Sequence, residues 1–104
     1  MRVDLPGDHW IDIKDELSTG DLERIAREAQ VWDAESRQWQ QSGYAAAIRA
    51  CDWMIVEWAV PGGEPPSAEA ARKLPAKLGL AIINALNSHV AEQGISPEDL
   101  GNAS

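Results

Sequence analysis

The sequence is poor in cysteine and in basic residues, and it contains no phenylalanine. Cys51 is the only cysteine in 104 residues, so we expect no intrachain disulfide and a reducing compartment. Nine Lys and Arg stand against seventeen Asp and Glu, a net charge of −8, and the basic residues form no stripe. Binding to a phosphate backbone therefore has little electrostatic support, and the expected partners are neutral or basic proteins rather than nucleic acid.

Long apolar runs are also missing. The longest run falls far short of the roughly 20 residues that cross a bilayer, and the first residues lack the apolar core of a signal peptide. We therefore expect no membrane partner and no secretory leader, and we place the protein in the cytoplasm. A chain of this length with 44% apolar residues is typical of one soluble domain.

Residues that could carry chemistry are few and scattered. His9, His89 and Cys51 are the only soft metal ligands, and their spacing fits no metal site. Cys51 lies on the apolar face of a predicted helix, and no base is placed to activate its thiol. We expect a non-enzymatic protein with no catalytic residue, no metal and no cofactor.

The N-terminal residues predict a β-hairpin. Residues 2–5 alternate polar and apolar side chains, Pro6-Gly7-Asp8 suits a turn, and residues 10–13 are rich in β-branched and aromatic side chains. Because two strands alone are marginal in water, this hairpin is expected to lie on helices.

A first helix is predicted to follow the hairpin. Ser18 and Asp21 have the spacing of a capping box, and the apolar face of this helix is expected to extend from Leu22 to Trp32. Residues 35–41 are polar and fit either a loop or a continued, exposed helix.

Two further helices are predicted in the second half of the chain. Ser67 suits the N-cap of a short helix over residues 68–74. Pro75 suits the start of a last helix, and Gly94 suits its C-cap.

The segment from Tyr44 to Val60 supports two interpretations. Its apolar residues recur at offsets of 0, 3, 4, 7, 11 and 14, as on one face of a helix: Tyr44, Ala47, Ile48, Cys51, Ile55 and Trp58. From Met54 to Val60, apolar and other residues also alternate, as in a strand. We prefer the helix, because its pattern continues back to Tyr44 without a breaker and strands rarely run so long.

The fold class predicted from these elements is mostly α (α+β), with a small N-terminal β-hairpin packed on a bundle of three to four short helices. Residues 1–94 are expected to form this single domain, and residues 95–104 a flexible polar tail.

Five tryptophans in a small acidic chain direct the search for function to surfaces, since indoles are frequent in protein interfaces. Trp58 shares the predicted core face of the middle helix. Trp53 and Val56 stand off that face, and Trp39 is isolated among Gln and Ser. Trp39, Trp53 and Val56 are therefore the predicted protein-interface residues.

The order of these motifs resembles that of the tail assembly chaperones of long-tailed, siphovirus-like bacteriophages. The resemblance covers roughly residues 2–92. It depends on a Trp-bearing hairpin (residues 5–13), a Leu-Ser-Thr-Gly-Asp helix opening (17–21), a Trp followed by a Gly/Pro turn (55–66), and Leu74-Pro75.

The resemblance implies a non-enzymatic chaperone in the host cytoplasm. Such proteins bind and solubilise the tape measure protein during tail morphogenesis, before tube subunits polymerise around it, and are absent from the finished virion. A homo-oligomer is compatible with this role. Two alternatives stay open: a small acidic inhibitor or adaptor that binds a basic host protein, and a structural tail or head-completion subunit.

Overall fold

A computed structural model describes residues 1–93, and within them the chain forms five strands in two sheets and four helices. In chain order these are β1 (Arg2–Leu5), β2 (His9–Ile13), α1 (Thr19–Glu28), β3 (Gln30–Asp33), β4 (Gln38–Gln41), α2 (Gly43–Ala50), β5 (Ile55–Ala59), α3 (Ala68–Arg72) and α4 (Ala76–Glu92). The prediction of a mostly α fold with a single hairpin is wrong, because three of the strands come from segments predicted to be helix or loop. The fold is α+β.

The predicted N-terminal hairpin is confirmed. β1 and β2 pair antiparallel with Leu5 opposite His9, and the three-residue loop between them needs positive φ angles at Gly7 (78°) and Asp8 (62°). Glycine adopts this conformation without steric cost, and aspartate tolerates it better than most residues. The hairpin is extended by β5, which gives a three-stranded antiparallel sheet in the order β1-β2-β5.

The middle segment is not one helix. Helix α2 ends at Ala50, a turn follows over residues 51–54, and β5 begins at Ile55. The strand interpretation of the second half was the better one. β5 pairs with β2 along its length, and these ladder hydrogen bonds, made with residues more than forty positions away, are invisible to local periodicity.

A β-bulge at Val56 explains why the alternation in this strand is weak. Asp12 lies opposite Glu57, whereas Ile13 lies opposite Ile55, so Val56 is the extra residue. The bulge turns both Val56 and Glu57 to solvent while Ile55 stays buried.

Helix α1 opens as predicted and ends earlier than predicted. The Ser18 hydroxyl accepts from the Asp21 N–H at 3.1 Å, and the Asp21 carboxylate accepts from the Ser18 N–H at 2.9 Å, which is a complete capping box. The helix ends at Glu28, so Trp32 lies in β3 and not on the helical face. Residues 38–41, expected to be loop or exposed helix, form β4.

The two C-terminal helices lie close to their predicted positions. Ser67 caps α3, since its hydroxyl accepts from the Ala70 N–H at 3.0 Å, and α4 begins directly after Pro75. Gly94 and the predicted tail of residues 95–104 lie outside the described residues.

One hydrophobic core joins the sheet to the helices. The sheet contributes Ile11 and Ile13, and the end of the α2–β5 turn contributes Met54, all almost fully buried. Ile82 and Leu86 of α4 complete the core from the helical side. This arrangement leaves the β3–β4 hairpin outside the main sheet, attached to the helices at its base.

Candidate functional site

The β3–β4 hairpin presents two tryptophans to solvent. Trp32 and Trp39 lie directly opposite each other in the antiparallel ladder, and their rings meet edge to face with centroids 5.5 Å apart and an interplanar angle of 67°. Trp32 is 51% exposed and Trp39 is 65% exposed. Such cross-strand aromatic pairs stabilise a hairpin, and here the pair also forms an exposed apolar surface. We call Trp32 and Trp39 the indole pair.

The turn of this hairpin is organised by Asp33. Its carboxylate accepts hydrogen bonds from the Glu35 N–H (3.1 Å), the Ser36 hydroxyl (2.9 Å) and the Gln40 side-chain amide (3.0 Å). Arg37 closes the four-residue loop with a φ of 54°. An acidic side chain that binds the backbone two residues onward is a common turn-former, and here it fixes the register that places the two indoles opposite each other.

The base of the hairpin is attached to α1 and α2. The Ser42 N–H donates to the Ala29 carbonyl at 2.8 Å, and the Arg49 guanidinium donates to the carbonyls of Glu28 (2.6 Å) and Gln30 (3.3 Å). Arg49 thus satisfies a carbonyl that the end of α1 leaves free. These hydrogen bonds fix the position of the β3–β4 hairpin, and with it the indole pair, relative to α1 and α2.

Trp39, predicted as a contact residue, is the most exposed indole of the site. Trp32 was missed, because the apolar spacing of residues 22–32 placed it on the buried face of a longer α1. A signal was available in the sequence: Val31-Trp32 and Trp39-Gln40 flank a polar stretch that begins with Asp33, as two short strands flank a turn.

Trp53, the second predicted contact residue, is half-buried and engaged within the chain. Its indole N–H donates to the Glu28 carboxylate at 2.8 Å, and the Arg24 guanidinium lies 5.1 Å from the centre of its ring. These contacts give Trp53 a role in joining α1 to the α2–β5 turn. Its use as an interface residue stays a prediction.

Val56, the third predicted contact residue, is 65% exposed at the bulge in β5. Trp53 and Val56 were both predicted to lie off the core face of one long helix, and that helix ends at Ala50. Of the three predicted residues, Trp39 lies on β4, Trp53 lies in the α2–β5 turn, and Val56 lies on β5. The structure instead pairs Trp39 with Trp32.

The two residues with reactive side chains that lie in the interior are Cys51 and His89. Cys51 is fully buried, its thiol lies 3.4 Å from the Ala47 carbonyl, and burial raises its pKa to about 12. A thiol with this pKa is protonated at neutral pH and is a poor nucleophile. His89 is also buried; its Nε2 lies 2.8 Å from the Lys14 carbonyl, and its Nδ1 has no hydrogen-bond partner within residues 1–93.

Among residues 1–93, no three His, Cys, Asp or Glu side chains are grouped so as to hold a metal ion. In the same residues no helix combines the length and the apolar character needed to cross a bilayer.

Comparison of the chain with protein-family models, with curated proteins and with solved structures gave no match.

Proposed function

We propose that this chain is a non-enzymatic binding protein whose indole pair contacts an apolar segment of another polypeptide. The observation that supports this proposal is the exposure of two tryptophans on one face of a small hairpin. An exposed aromatic cluster costs solubility and is retained where a partner covers it, and tryptophan is among the residues that contribute most to binding energy in interfaces.

We further propose the role that the resemblance in motif order implies: a tail assembly chaperone of a siphovirus-like phage that binds the tape measure protein in the host cytoplasm. The net charge of −8 suits this role, because like charge keeps loaded chaperones apart. The indole pair supplies the apolar contact that shields an aggregation-prone segment.

The experiment first tests whether a tape measure protein is encoded in the same genome as this chain, and then uses that protein in a pull-down and titration. Trp39→Ala and Trp32→Ala are each expected to weaken binding by about 2 kcal/mol, or roughly 30-fold in Kd, as for a tryptophan at the centre of an interface. Gln38→Ala, an exposed residue on the same strand, is the matched control and is expected to bind like the parent protein. Trp39→Phe keeps an aromatic ring and should retain part of the affinity.

Two results would contradict the proposal. Undetectable binding of the tape measure protein at micromolar concentration would remove the chaperone role. Equal affinity of the parent and of a Trp32→Ala/Trp39→Ala double variant would remove the indole pair as the site.

The ionic strength of the titration separates this function from a charge-mimicking inhibitor. An apolar contact keeps its affinity as salt rises, whereas a contact made by acidic side chains with a basic protein weakens steeply. A loss of more than tenfold between about 0.05 M and about 0.5 M salt would favour the inhibitor.

A further inference from the structure

The β3–β4 hairpin leaves the body of the molecule at the end of α1. Its first strand begins at Gln30, directly after Ala29, the C-cap of α1. Its second strand ends one residue before Ser42, whose N–H donates to the Ala29 carbonyl at 2.8 Å. Both ends of the hairpin are therefore anchored at the same point. The orientation of the indole pair relative to the rest of the chain depends on how firmly the last turn of α1 is held.

Glu28, the last residue of α1, is held from two sides. Its carbonyl accepts from the Arg49 guanidinium of α2 at 2.6 Å. Its carboxylate accepts from the indole N–H of Trp53, in the α2–β5 turn, at 2.8 Å. The Arg24 guanidinium lies 3.6 Å from the same carboxylate oxygen. The end of α1 is thus tied to α2 through the backbone of Glu28 and to the α2–β5 turn through its side chain.

The hydrogen bond between Trp53 and Glu28 is the stronger of the two side-chain contacts that the Glu28 carboxylate makes. The Glu28 side chain is 20% exposed, and Trp53 is half-buried and packs against the core. A hydrogen bond to a carboxylate is stronger than one between neutral groups, and partial burial limits competition from water. The pair with Arg24 is an i,i+4 contact of a more exposed side chain, which contributes little. Trp53 is therefore the main side-chain anchor of the α1 terminus.

We propose that Trp53 and Glu28 are positioning residues for the indole pair. Their hydrogen bond fixes the end of α1, and through it the direction in which the hairpin points, so Trp53 contributes to binding without contacting the partner. A hairpin held in one orientation loses less freedom when a partner binds, which favours affinity. This inference rests on the proposed function only where it concerns affinity, because the orientation of the hairpin can be measured without a partner.

Residual dipolar couplings of backbone amides report the orientation of the hairpin in the full chain. In the parent protein, the couplings of β3 and β4 are expected to fit the same alignment as those of the β1-β2-β5 sheet. Trp53→Phe removes the indole donor but keeps an aromatic ring, and Glu28→Ala removes the acceptor. Each is expected to reduce the hairpin couplings by at least about a third relative to those of the sheet, because motion about the base averages them.

Two further variants are matched controls. Trp58→Phe removes another indole donor, which binds the Glu64 carbonyl outside the hairpin, and it should leave the hairpin couplings unchanged. Glu28→Gln keeps a side-chain oxygen that can accept from Trp53, so it should retain most of the coupling that Glu28→Ala loses. A contribution to overall stability alone would not produce this pattern, because it would change the couplings of the sheet and the hairpin together.

The indole pair provides an internal check. Trp32 and Trp39 contact each other within the hairpin, so their exciton couplet in circular dichroism should persist in Trp53→Phe even though the hairpin moves. Where the tape measure protein binds, Trp53→Phe and Glu28→Ala are each expected to weaken binding roughly three- to tenfold. The double variant should bind no more weakly than either single variant, because both substitutions remove one and the same hydrogen bond.

Three results would overturn the proposal. Unchanged hairpin couplings in both Trp53→Phe and Glu28→Ala would show that Arg49 and Ser42 fix the hairpin without this hydrogen bond. An equal reduction in Trp58→Phe would show that the fold loosens generally when an indole donor is lost. Weaker binding of Trp53→Phe with unchanged couplings would make Trp53 a direct contact residue.

The couplings also separate this inference from the proposed function. Absence of tape measure binding removes the chaperone role, and the couplings of Trp53→Phe and Glu28→Ala still decide whether the hairpin is positioned by this bond. Conversely, binding that depends on the indole pair, together with unchanged couplings in both variants, keeps the proposed site and refutes the positioning residues.

Discussion

At the scale of single residues, four of the five tryptophans divide by the partners of their rings. Trp53 and Trp58 donate their indole N–H groups to Glu28 and to the Glu64 carbonyl, and both pack against the core. Trp32 and Trp39 contact each other and solvent. A large apolar side chain with a donor at one end suits both situations, so residue type alone did not distinguish the two structural indoles from the two exposed ones.

Asp21 gives a prediction at the same scale. It closes the capping box of α1 and accepts from the Lys14 ammonium at 2.7 Å. Asp21→Ala removes both interactions and is expected to lower the free energy of unfolding by about 1 kcal/mol at neutral pH. Urea denaturation followed by tryptophan fluorescence measures the change.

The pH dependence of this effect has a definite sign. The hydrogen bond from Lys14 and the backbone bond from Ser18 hold the pKa of Asp21 below its usual value of 3.8. A carboxylate with a lowered pKa in the folded state stabilises the protein above its unfolded pKa, and the contribution is lost as the pH falls through the folded value. The difference between Asp21→Ala and the parent should therefore be full near neutral pH and shrink below about pH 4.

Glu23→Ala is the control for Asp21. It removes an exposed carboxylate close by in the same helix and is expected to change the free energy of unfolding by less than about 0.5 kcal/mol. A difference between Asp21→Ala and the parent that stays constant down to about pH 2 would contradict the assigned role of the carboxylate.

At the scale of elements, the sequence predicted well wherever a local side chain sets a boundary. Ser18 and Asp21 start α1, Ser67 starts α3, and Pro6-Gly7-Asp8 turns the first hairpin. In each case the side chain or the backbone preference acts within three residues, so the local sequence is enough to predict where the element begins or turns.

Prediction failed where partners distant in sequence decide the structure. Of the continuous helix predicted from Tyr44 to Val60, only the first half is helical in the structure, as α2. The second half pairs with β2, and the Met54 carbonyl accepts from the Lys14 N–H at 2.9 Å. Local helical spacing cannot anticipate an edge of sheet that is supplied forty residues earlier.

The same limit applies to the candidate site. Trp39 was recognised because an indole among glutamines is conspicuous, but its pairing with Trp32 depends on a turn whose acidic organiser, Asp33, was not recognised. With the turn assigned, the opposite positions of the indoles follow from the register alone. The sequence thus allowed Trp39 to be predicted as a contact residue, whereas its contact with Trp32 was missed.

Asp33 gives the prediction at this scale. Asp33→Ala removes the three hydrogen bonds that fix the β3–β4 turn, each contributing roughly 0.5–1.5 kcal/mol. We expect the edge-to-face indole contact to loosen, and circular dichroism to report it as a weaker tryptophan exciton couplet. The unfolding of the core should change much less, because the hairpin lies outside the main sheet.

Glu35→Ala, in the same turn, is the comparison variant, since its side chain is exposed and only its backbone N–H binds Asp33. It is expected to preserve the couplet. An unchanged couplet in Asp33→Ala would mean that the indoles hold the hairpin together without the turn.

At the scale of the whole molecule, the described residues combine one shared core with an exposed aromatic surface. The sheet and the helices pack around that core, whereas the indole pair on the β3–β4 hairpin stays exposed. A small domain is marginally stable, so apolar surface left uncovered is stability that the fold forgoes. The core must therefore supply the stability that the exposed indole pair does not.

Ile82 tests whether the core is one cooperative unit. It lies in α4, is 1% exposed, and belongs to the cluster that joins the sheet to the helices. Ile82→Ala is expected to lower the free energy of unfolding by about 2–5 kcal/mol, since it removes buried methyl groups and leaves a cavity. Leu80→Ala, on the same helix but 54% exposed, should lower the free energy of unfolding by less than about 0.5 kcal/mol.

Denaturation of Ile82→Ala followed by fluorescence and by far-UV circular dichroism should give coincident transitions, because sheet and helices share one core. If the helical signal were lost at lower urea than the tryptophan signal, the sheet and the helices would unfold as separate units, and the prediction of one cooperative core would be wrong.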